Sequence, residues 1–391
     1  MYCPYHELAI KGARINDATI RVIRSPEEIE EVRAQWTSWQ HHPTSDIDFY
    51  LEVNRSRRPA IVRPHILLLN RDGRPDAMLI GRLEKTRMEV RFAHKELPGP
   101  RVTSLTFIYK GLLGNASSEN SLAFVGEISK SLRQNEADVA RFEFVSTDSP
   151  LFSSIQCAGG AATRDFFPTI QKHWRMKLPV TIDKVLSGFS RTDRRLNRRL
   201  LADYPGDVRL VCLRETADRE RIFREVEQIA RVTYQRALGV GFFDNFGAQQ
   251  DVQLALQKGW HRTYILYVAD KPCVFWMGNV YGGVFYGLYT AYDPSYLKYS
   301  PGTYLMIKML EESWKEGVRE FDFGFGDSWY KRRLSDYSWD EALSYMFYPR
   351  LRGLTVNALR TPTIFVDRFL RRVLQRTALL PRVKKIFKRR K

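Results

Sequence analysis

The stretch Arg319–Asp336, REFDFGFGDSWYKRRLSD, gathers the side chains of this chain best suited to chemistry. Alternation along a short strand puts Phe321 and Phe323 on one face and Asp322 on the other. Gly324 and Gly326 break the strand, and Asp327, Tyr330 and Lys331 follow. A carboxylate flanked by aromatics is partly desolvated, which raises its pKa and suits Asp322 to general-base work. Tyr330 is placed to protonate a leaving thiolate or hydroxyl. Lys331 is placed to neutralise an oxyanion or a phosphate. The plain alternatives are that Asp322 pairs with an arginine or caps a turn, and that Lys331 is a solvated charge.

Just upstream, Tyr299-Ser300-Pro301-Gly302-Thr303 opens a helix that feeds into that strand. Ser300 is a good N-cap and Pro301 suits the first helical position. The amides of Gly302, Thr303 and Tyr304 should then point out of the N-terminus, where the helix dipole favours an anion such as a phosphate. A well-capped helix with no ligand explains the same residues. A second basic element, Ser190–Leu201 (SRTDRRLNRRLL), carries Arg194 and Arg198. It reads either as a solvated helix face or as a surface for a cofactor phosphate, a nucleotide-linked substrate or a lipid head group. Aromatic interleaving of the kind RNA readers use is missing there.

The elements that must hold these groups repeat in order along the chain. In the first half, Ile66–Leu69, Ala77–Leu83 and Met88–Phe92 read as strands, with a turn at Asp72-Gly73. Val102–Tyr109, a helix over Ser118–Arg133 and a strand Arg141–Val145 follow. In the second half, Tyr264–Val268, Cys273–Val280 and Val284–Tyr292 form a meander, then come a helix Pro301–Glu316 and a strand Val318–Phe323. Between the halves the pattern predicts a long helix Thr216–Leu238, capped by Thr216 and stopped by Gly239, and another over Gln249–Lys258.

A chain of 391 residues is too long for one ordinary core, so two domains are expected. No stretch reaches the roughly 18–20 apolar residues of a membrane span. Met1–Arg14 holds His6, Glu7 and Lys11 and lacks a signal-peptide apolar core, which predicts a cytoplasmic protein. The four cysteines are far apart, with no C-x-x-C pair, and are expected to be reduced and structural; no metal site is expected. The net charge is +18, but Arg368–Lys391 alone holds eleven Lys/Arg and no Asp/Glu. Without it, 51 basic residues face 44 acidic ones, so the basicity belongs largely to the tail. That argues against a whole-surface nucleic-acid binder and for a tail with an anionic partner. Phe365, Phe369, Leu370, Val373 and Leu374 give the tail an apolar stripe. It fits an interfacial membrane helix as well as a terminal helix packed on the body.

FDFGFGDSWYK resembles the strand-to-YK signature of the BioF2-like acetyltransferase domain, within the GNAT superfamily. That group is similar to the CelD-type proteins of bacterial polysaccharide loci and, more distantly, to FemAB-type aminoacyl transferases. SRTDRRLNRRLL and YDPSYLKYSPGTYLMIKMLEESWKEG resemble, in order, the Arg-rich segment and the helix leading to that signature. The resemblance covers Val180–Asp336 well; across Arg21–Pro150 it rests on element order.

The resemblance implies an α+β fold of tandem GNAT-like domains, each a mixed, mostly antiparallel sheet flanked by helices. The expected boundaries are 1–175 for a first domain, 176–350 for the catalytic domain and 351–391 for the tail. It further implies acyl transfer from a thioester to an amine or hydroxyl. Lys331, Tyr330 and Asp322 would be catalytic, and Ser300, Gly302, Thr303 and Tyr304 would hold the cofactor. Asp327, Arg194 and Arg198 would bind substrate. Acetyl-CoA or another acyl-CoA is the expected donor, without a metal. The expected acceptor is a sugar, lipid-linked sugar or amino-sugar nucleotide of envelope or exopolysaccharide biosynthesis. The expected location is cytoplasmic, peripheral at the inner membrane face if the tail binds there. One departure stands: the Gln/Arg-x-x-Gly-x-Gly/Ala loop of GNAT enzymes is replaced by a single Gly302 after a proline. Two alternatives remain: a FemAB-like transferase using aminoacyl-tRNA, the only reading that calls for nucleic acid, or a non-catalytic membrane-surface scaffold in polysaccharide assembly.

Overall fold

The computed structural model describes residues 18–58, 60–92, 95–158, 163–178, 189–233, 236 and 241–347, and singly 353, 355, 357, 358, 361 and 365. The basic tail Arg368–Lys391 lies outside the described residues. The strands are β1 (Ala18–Ile23), β2 (Ile61–Pro64), β3 (Ile66–Arg71), β4 (Arg74–Phe92), β5 (Lys95–Gly114), β6 (Val139–Ser146), β7 (Thr169–Lys177), β8 (Val208–Leu213), β9 (His261–Val268), β10 (Lys271–Tyr281), β11 (Val284–Tyr292), β12 (Glu320–Phe325) and β13 (Tyr337–Phe347). The helices are α1 (Pro26–Glu31), α2 (Arg33–Trp39), α3 (Ile47–Ser56), α4 (Ser118–Arg133), α5 (Pro150–Ala158), α6 (Arg191–Asp203), α7 (Arg219–Ala230), α8 (Phe246–Gln257), α9 (Pro301–Lys315) and α10 (Trp329–Leu334).

The chain divides into two compact units. One draws on Met1–Trp39, Arg58–Ile170 and Glu341–Lys391, the other on Gln40–Arg57 and Gln171–Asp340. Two consecutive domains, 1–175 and 176–350, and a tail were expected; each unit is instead assembled from separated segments. The cause is strand pairing and helix packing. Glu341–Phe347 of β13 pairs with β6 and so joins the first unit. Helix α3 belongs to the second, where Asp48 forms an ion pair with Lys258 and Arg57 bonds Asp251 at 3.0 Å.

In the first unit the strand order is β1-β3-β4-β5-β6-β13. All neighbours are antiparallel except β5 and β6, which α4 connects in parallel. The β3–β4 hairpin turns at Asp72-Gly73, both at positive φ, as a tight two-residue hairpin turn demands. Helix α4 starts where the sequence predicts, and its Phe124, Val125, Ile128 and Leu132 bury against Leu69, Leu79, Phe107 and Phe142. The two strands predicted over 77–83 and 88–92 form the single long β4.

The second unit repeats this plan. Its order is β8-β9-β10-β11-β12-β7, again antiparallel except for the β11–β12 pair that α9 connects. Strand β10 is buried on both faces, which explains its unbroken apolar run. Val274 and Trp276 face the core that holds Leu305, Met306 and Met309 of α9 and Leu200 of α6. Phe275 and Met277 face the core built from Ile222 and Val226 of α7 and Val252 and Leu256 of α8. Both units therefore bear out the expected mixed, mostly antiparallel sheets flanked by helices.

Three local expectations need correction. The helix predicted from Thr216 to Leu238 begins as a 3-10 turn, Thr216–Asp218, before α7. Asp218 accepts from the amides of Arg214 and Glu215, a reciprocal cap that Thr216 does not supply. Helix α7 ends at Ala230, short of Leu238 and Gly239, which lie outside the described residues. Cys212 and Cys273 are free thiols, but Cys157 is disulfide-bonded, so the expectation of four reduced cysteines fails there. Among the described residues, no helix is long and apolar enough to cross a membrane.

Candidate active site

The second unit opens where β11 and β12 part. They pair in register only at Val284↔Glu320, Phe285↔Phe321 and Tyr286↔Asp322. Gly287 and Gly324 follow, the latter at φ +67, which a side chain would strain. The neighbouring strand bulges at Met277/Gly278, and only glycine fits there, since a Cβ at Gly278 would lie 2.4 Å from the Tyr286 carbonyl oxygen. Beyond the parting lies a cavity of about 560 Å³. Its walls are Trp276 on β10, Thr290 and Tyr292 on β11, Ser300–Thr303 and Met306 on α9, Leu196 on α6, and Ser328–Tyr330 and Arg333 around α10.

Most of the cavity wall is apolar, and two residues that line it each carry a buried polar atom without a protein hydrogen-bond partner: the Trp276 indole Nε1 and the Ser328 Oγ. A buried donor left unsatisfied costs about 1–3 kcal/mol, so a ligand that bonds it recovers that cost. Neither residue stood out in the sequence, because strand alternation marks Trp276 only as core and Ser328 as a turn residue.

The start of α9 departs from its expected geometry. Ser300 is left-handed (φ 52, ψ 53) and its side chain makes no cap bond. Its Oγ lies 3.1 Å from Thr303 Oγ1 instead. Pro301 has no N–H, and the amides of Thr303 and Tyr304 point back to Ser300 O at 3.1 and 3.4 Å. Gly302 faces open space, with no atom within 4 Å of where a Cβ would sit. Ser300, Gly302 and Thr303 line the cavity, whereas Tyr304 packs partly buried against the core. The equivalent helix of the first unit, α4, is closed by its own side chains. Ser117 Oγ accepts from Asn120 N at 3.2 Å, and Asn120 Nδ2 donates to Asp76 at 2.7 Å.

Tyr330 lines the cavity and meets Trp276 and Phe323 edge-on, with centroids 6.3 and 6.0 Å apart. Lys331 turns away from it. Its buried Nζ donates to the carbonyls that end β12, at 2.6 Å to Phe325 O and 3.5 Å to Gly324 O. Burial pushes this ammonium down to about 8, against the pull of Asp322 and Asp327. It is neither a solvated charge nor a cavity wall. Asp327 is outside the wall as well, in an exposed ion pair with Arg332 that lowers its pKa. Arg194 and Arg198 are exposed on α6, and no described carboxylate pairs with either.

Asp322 lies on the face opposite Phe321 and Phe323, as alternation predicts, but not as the raised-pKa base expected. Burial would raise its pKa. The hydrogen bond from His173 and the charge of Arg175 outweigh burial and hold it down to about 2. His173 Nε2 is 2.6 Å from Oδ1; Arg175 donates to Oδ2 from Nε at 3.1 Å and Nη2 at 2.7 Å. A carboxylate so stabilised is a poor proton acceptor. It also accepts the Gly324 amide at 2.7 Å and so fixes the strand end that Lys331 grips. Both partners lie on β7, a strand absent from the sequence reading. Among the described residues no cluster fit to hold a metal ion occurs.

Residues 187–332 match a family described as Acetyltransferase (GNAT) domain. Among solved structures, FemX is 10% identical, with 80% of this chain and 95% of that chain covered at a TM-score of 0.55. A conserved protein of unknown function from Bacteroides thetaiotaomicron VPI-5482 is also 10% identical, covering 84% of this chain and all (100%) of that one at a TM-score of 0.50. A tandem GNAT protein from the clavulanic acid biosynthesis pathway is 14% identical over 84% of this chain and 98% of that chain, at a TM-score of 0.49. No curated protein matches the chain. The second unit thus carries a GNAT domain. The likeness to FemX, at 10% identity, is one of fold, and a CelD-type affiliation is finer than these likenesses.

Proposed function

We propose that this protein transfers an acyl group from a phosphopantetheine thioester to an amine or hydroxyl. One observation carries the reading: where β11 and β12 part, an apolar cavity is lined by Trp276 and Ser328, whose buried Nε1 and Oγ have no protein partner. A pantetheine arm is long, largely apolar and interrupted by amides, so it matches such a lining. The acceptor attacks the thioester carbonyl directly, and the tetrahedral intermediate expels a thiolate. Tyr330, in the cavity wall, gives that thiolate its proton. The acceptor gives its proton to solvent, solvent returns one to the Tyr330 phenolate, and the C–S bond gives way to C–N or C–O, so no covalent enzyme intermediate is needed. Lys331 lends its positive charge and fixes the strand end at Phe325. Asp322 acts through His173, Arg175 and Gly324 as a positioning residue.

The donor to test first is acetyl-CoA. The acceptor we favour is a sugar, lipid-linked sugar or amino-sugar nucleotide, in the envelope-polysaccharide setting of CelD-type proteins. Calorimetric titration of the protein with acetyl-CoA and with free coenzyme A should show saturable binding, and acceptor screening should show thiol release. Absence of both binding and release overturns the reading. The exposed arginines of α6 give a second reading some footing, in which aminoacyl-tRNA is the donor. Salt-sensitive tRNA binding without thioester turnover would favour it.

A further inference from the structure

We infer that the thioester reaches this site on an acidic acyl carrier protein that docks on α6, not as a free coenzyme. The inference rests on the proposed thioester chemistry and adds the carrier.

Helix α6 bears Arg191, Arg194, Arg195 and Arg198 at i, i+3, i+4 and i+7, so all four share one stripe. The four are exposed, while Asn197 and Leu200 of the same helix are buried. No described carboxylate pairs with these arginines, and the nearby Asp193 is occupied in the capping box with Ser190. The stripe runs for about 10 Å at 1.5 Å per residue. That is longer than a single phosphate and matches a charged protein face. Like charges crowded on one helix face repel, and a partner of opposite sign relieves the repulsion.

The stripe sits beside the cavity. Asn197 Nδ2 donates to Tyr299 O and Ser300 O, both at 3.1 Å, and Leu196 lines the cavity. Two further cavity residues stand out into solvent: Leu297 is 62% exposed and Trp329 64%. Exposed large apolar groups beside a basic stripe suit a protein partner's contact surface. The first turn of α9 points the same way. Pro301 offers no N–H, and the Thr303 and Tyr304 amides are spent on Ser300 O. Such a turn suits the single phosphodiester that links an arm to a carrier protein better than the pyrophosphate of a coenzyme. No aromatic side chain interleaves the arginines of α6, so the stripe lacks the stacking platforms of a single-stranded RNA reader.

The test compares two donors bearing the same acetyl thioester, an acidic acyl carrier protein and coenzyme A, with the full-length protein and one acceptor. At low salt the carrier thioester should show a KM about ten-fold below that of acetyl-CoA, a gap that high salt closes. Arg194→Glu with Arg198→Glu should raise the carrier KM by about ten-fold, with an unchanged melting temperature because both sites are exposed. Equal KM values for the two donors at low salt overturn the inference. So does turnover of acetyl-CoA with none from the carrier, which leaves the acyltransferase reading intact. Turnover of neither donor removes both. Displacement of the carrier by tRNA or by anionic vesicles that themselves bind through Arg194 and Arg198 would reassign the stripe and overturn the inference.

Discussion

Asp322 Oδ1 and His173 Nε2 lie 2.6 Å apart, with both side chains buried and Arg175 closing on the other carboxylate oxygen at 2.7 Å. The acid sits within β12, and its partners on β7. The imidazole stacks on Trp339 at 4.4 Å, so carboxylate, imidazole and guanidinium are locked together. The carboxylate's work is therefore to hold its charge, and that can be measured.

Asp322 is held at about 2, below its ordinary 3.8, so it binds fewer protons folded than unfolded. Its stabilising effect is present above pH 3.8 and is lost as pH falls towards 2. It is worth about 2 kcal/mol. Asp322→Asn should cost about 2 kcal/mol at neutral pH, since it removes the buried negative charge that His173 and Arg175 hold and leaves Arg175 paired only with Glu320. The variant should also flatten the acid limb of the stability curve. Urea unfolding across pH checks both; an unchanged midpoint and acid limb would refute the assignment.

Lys331 predicts an alkaline limb. If its ammonium serves as a cation, activity falls as pH climbs through about 8, where the proton is lost. A rise through the same pH would make it a base. Folding stability should increase between about 8 and 10.5, because there the unfolded chain holds more protons than the folded one. Lys331→Met should lose about 10²-fold or more in kcat, at a stability cost no larger than the roughly 1–3 kcal/mol of leaving the Phe325 carbonyl unpaired.

Trp276→Phe separates ring from N–H. The ring packs against Phe321 at 5.5 Å, so phenylalanine keeps the core. Removing an unsatisfied buried donor should leave stability equal or slightly higher. If Nε1 bonds the donor arm, KM for the thioester should rise about ten-fold. Unchanged kinetics would take Trp276 out of the site.

Gly302→Val tests donor approach. Nothing lies within 4 Å of the added Cβ, so the fold should tolerate it. A side chain there stands where the phosphate would approach the backbone. Donor KM should rise about ten-fold at a nearly unchanged melting temperature. A wild-type KM would place the phosphate elsewhere.

The elements around this site were legible where local chemistry alone decides them. Helix α4 begins at Ser118 and ends at Arg133 as its spacing and cap dictate, and β11 spans the predicted Val284–Tyr292. Phe321, Phe323 and Asp322 alternate as expected. Strand β7, TIQKHWRMK, carries only three apolar residues, Ile170, Trp174 and Met176, and few turn signals, so His173 and Arg175 on its other face carried no local mark. Their role depends on a pairing across 147 and 149 residues that local patterning cannot carry. The pKa of Asp322 changed direction for the same reason. Its flanking aromatics were visible in sequence, but the cations that outweigh them come from far along the chain. Ser300 shows the limit of composition in a smaller way: Ser before Pro reads as a cap, while as the residue ending the turn Pro294–Tyr299 it is left-handed.

The late position of β13 sets an order on synthesis. The first unit's sheet is completed only when Glu341–Phe347 pairs with β6, after every residue of the second unit has left the ribosome. Until then β6 is an open edge, ready to pair with another chain. A nascent chain stopped at residue 336 would already contain Asp322, Tyr330 and Lys331 and still expose that edge. Acquisition of the candidate site thus precedes protection from aggregation, and the last strand works as a latch on the first unit.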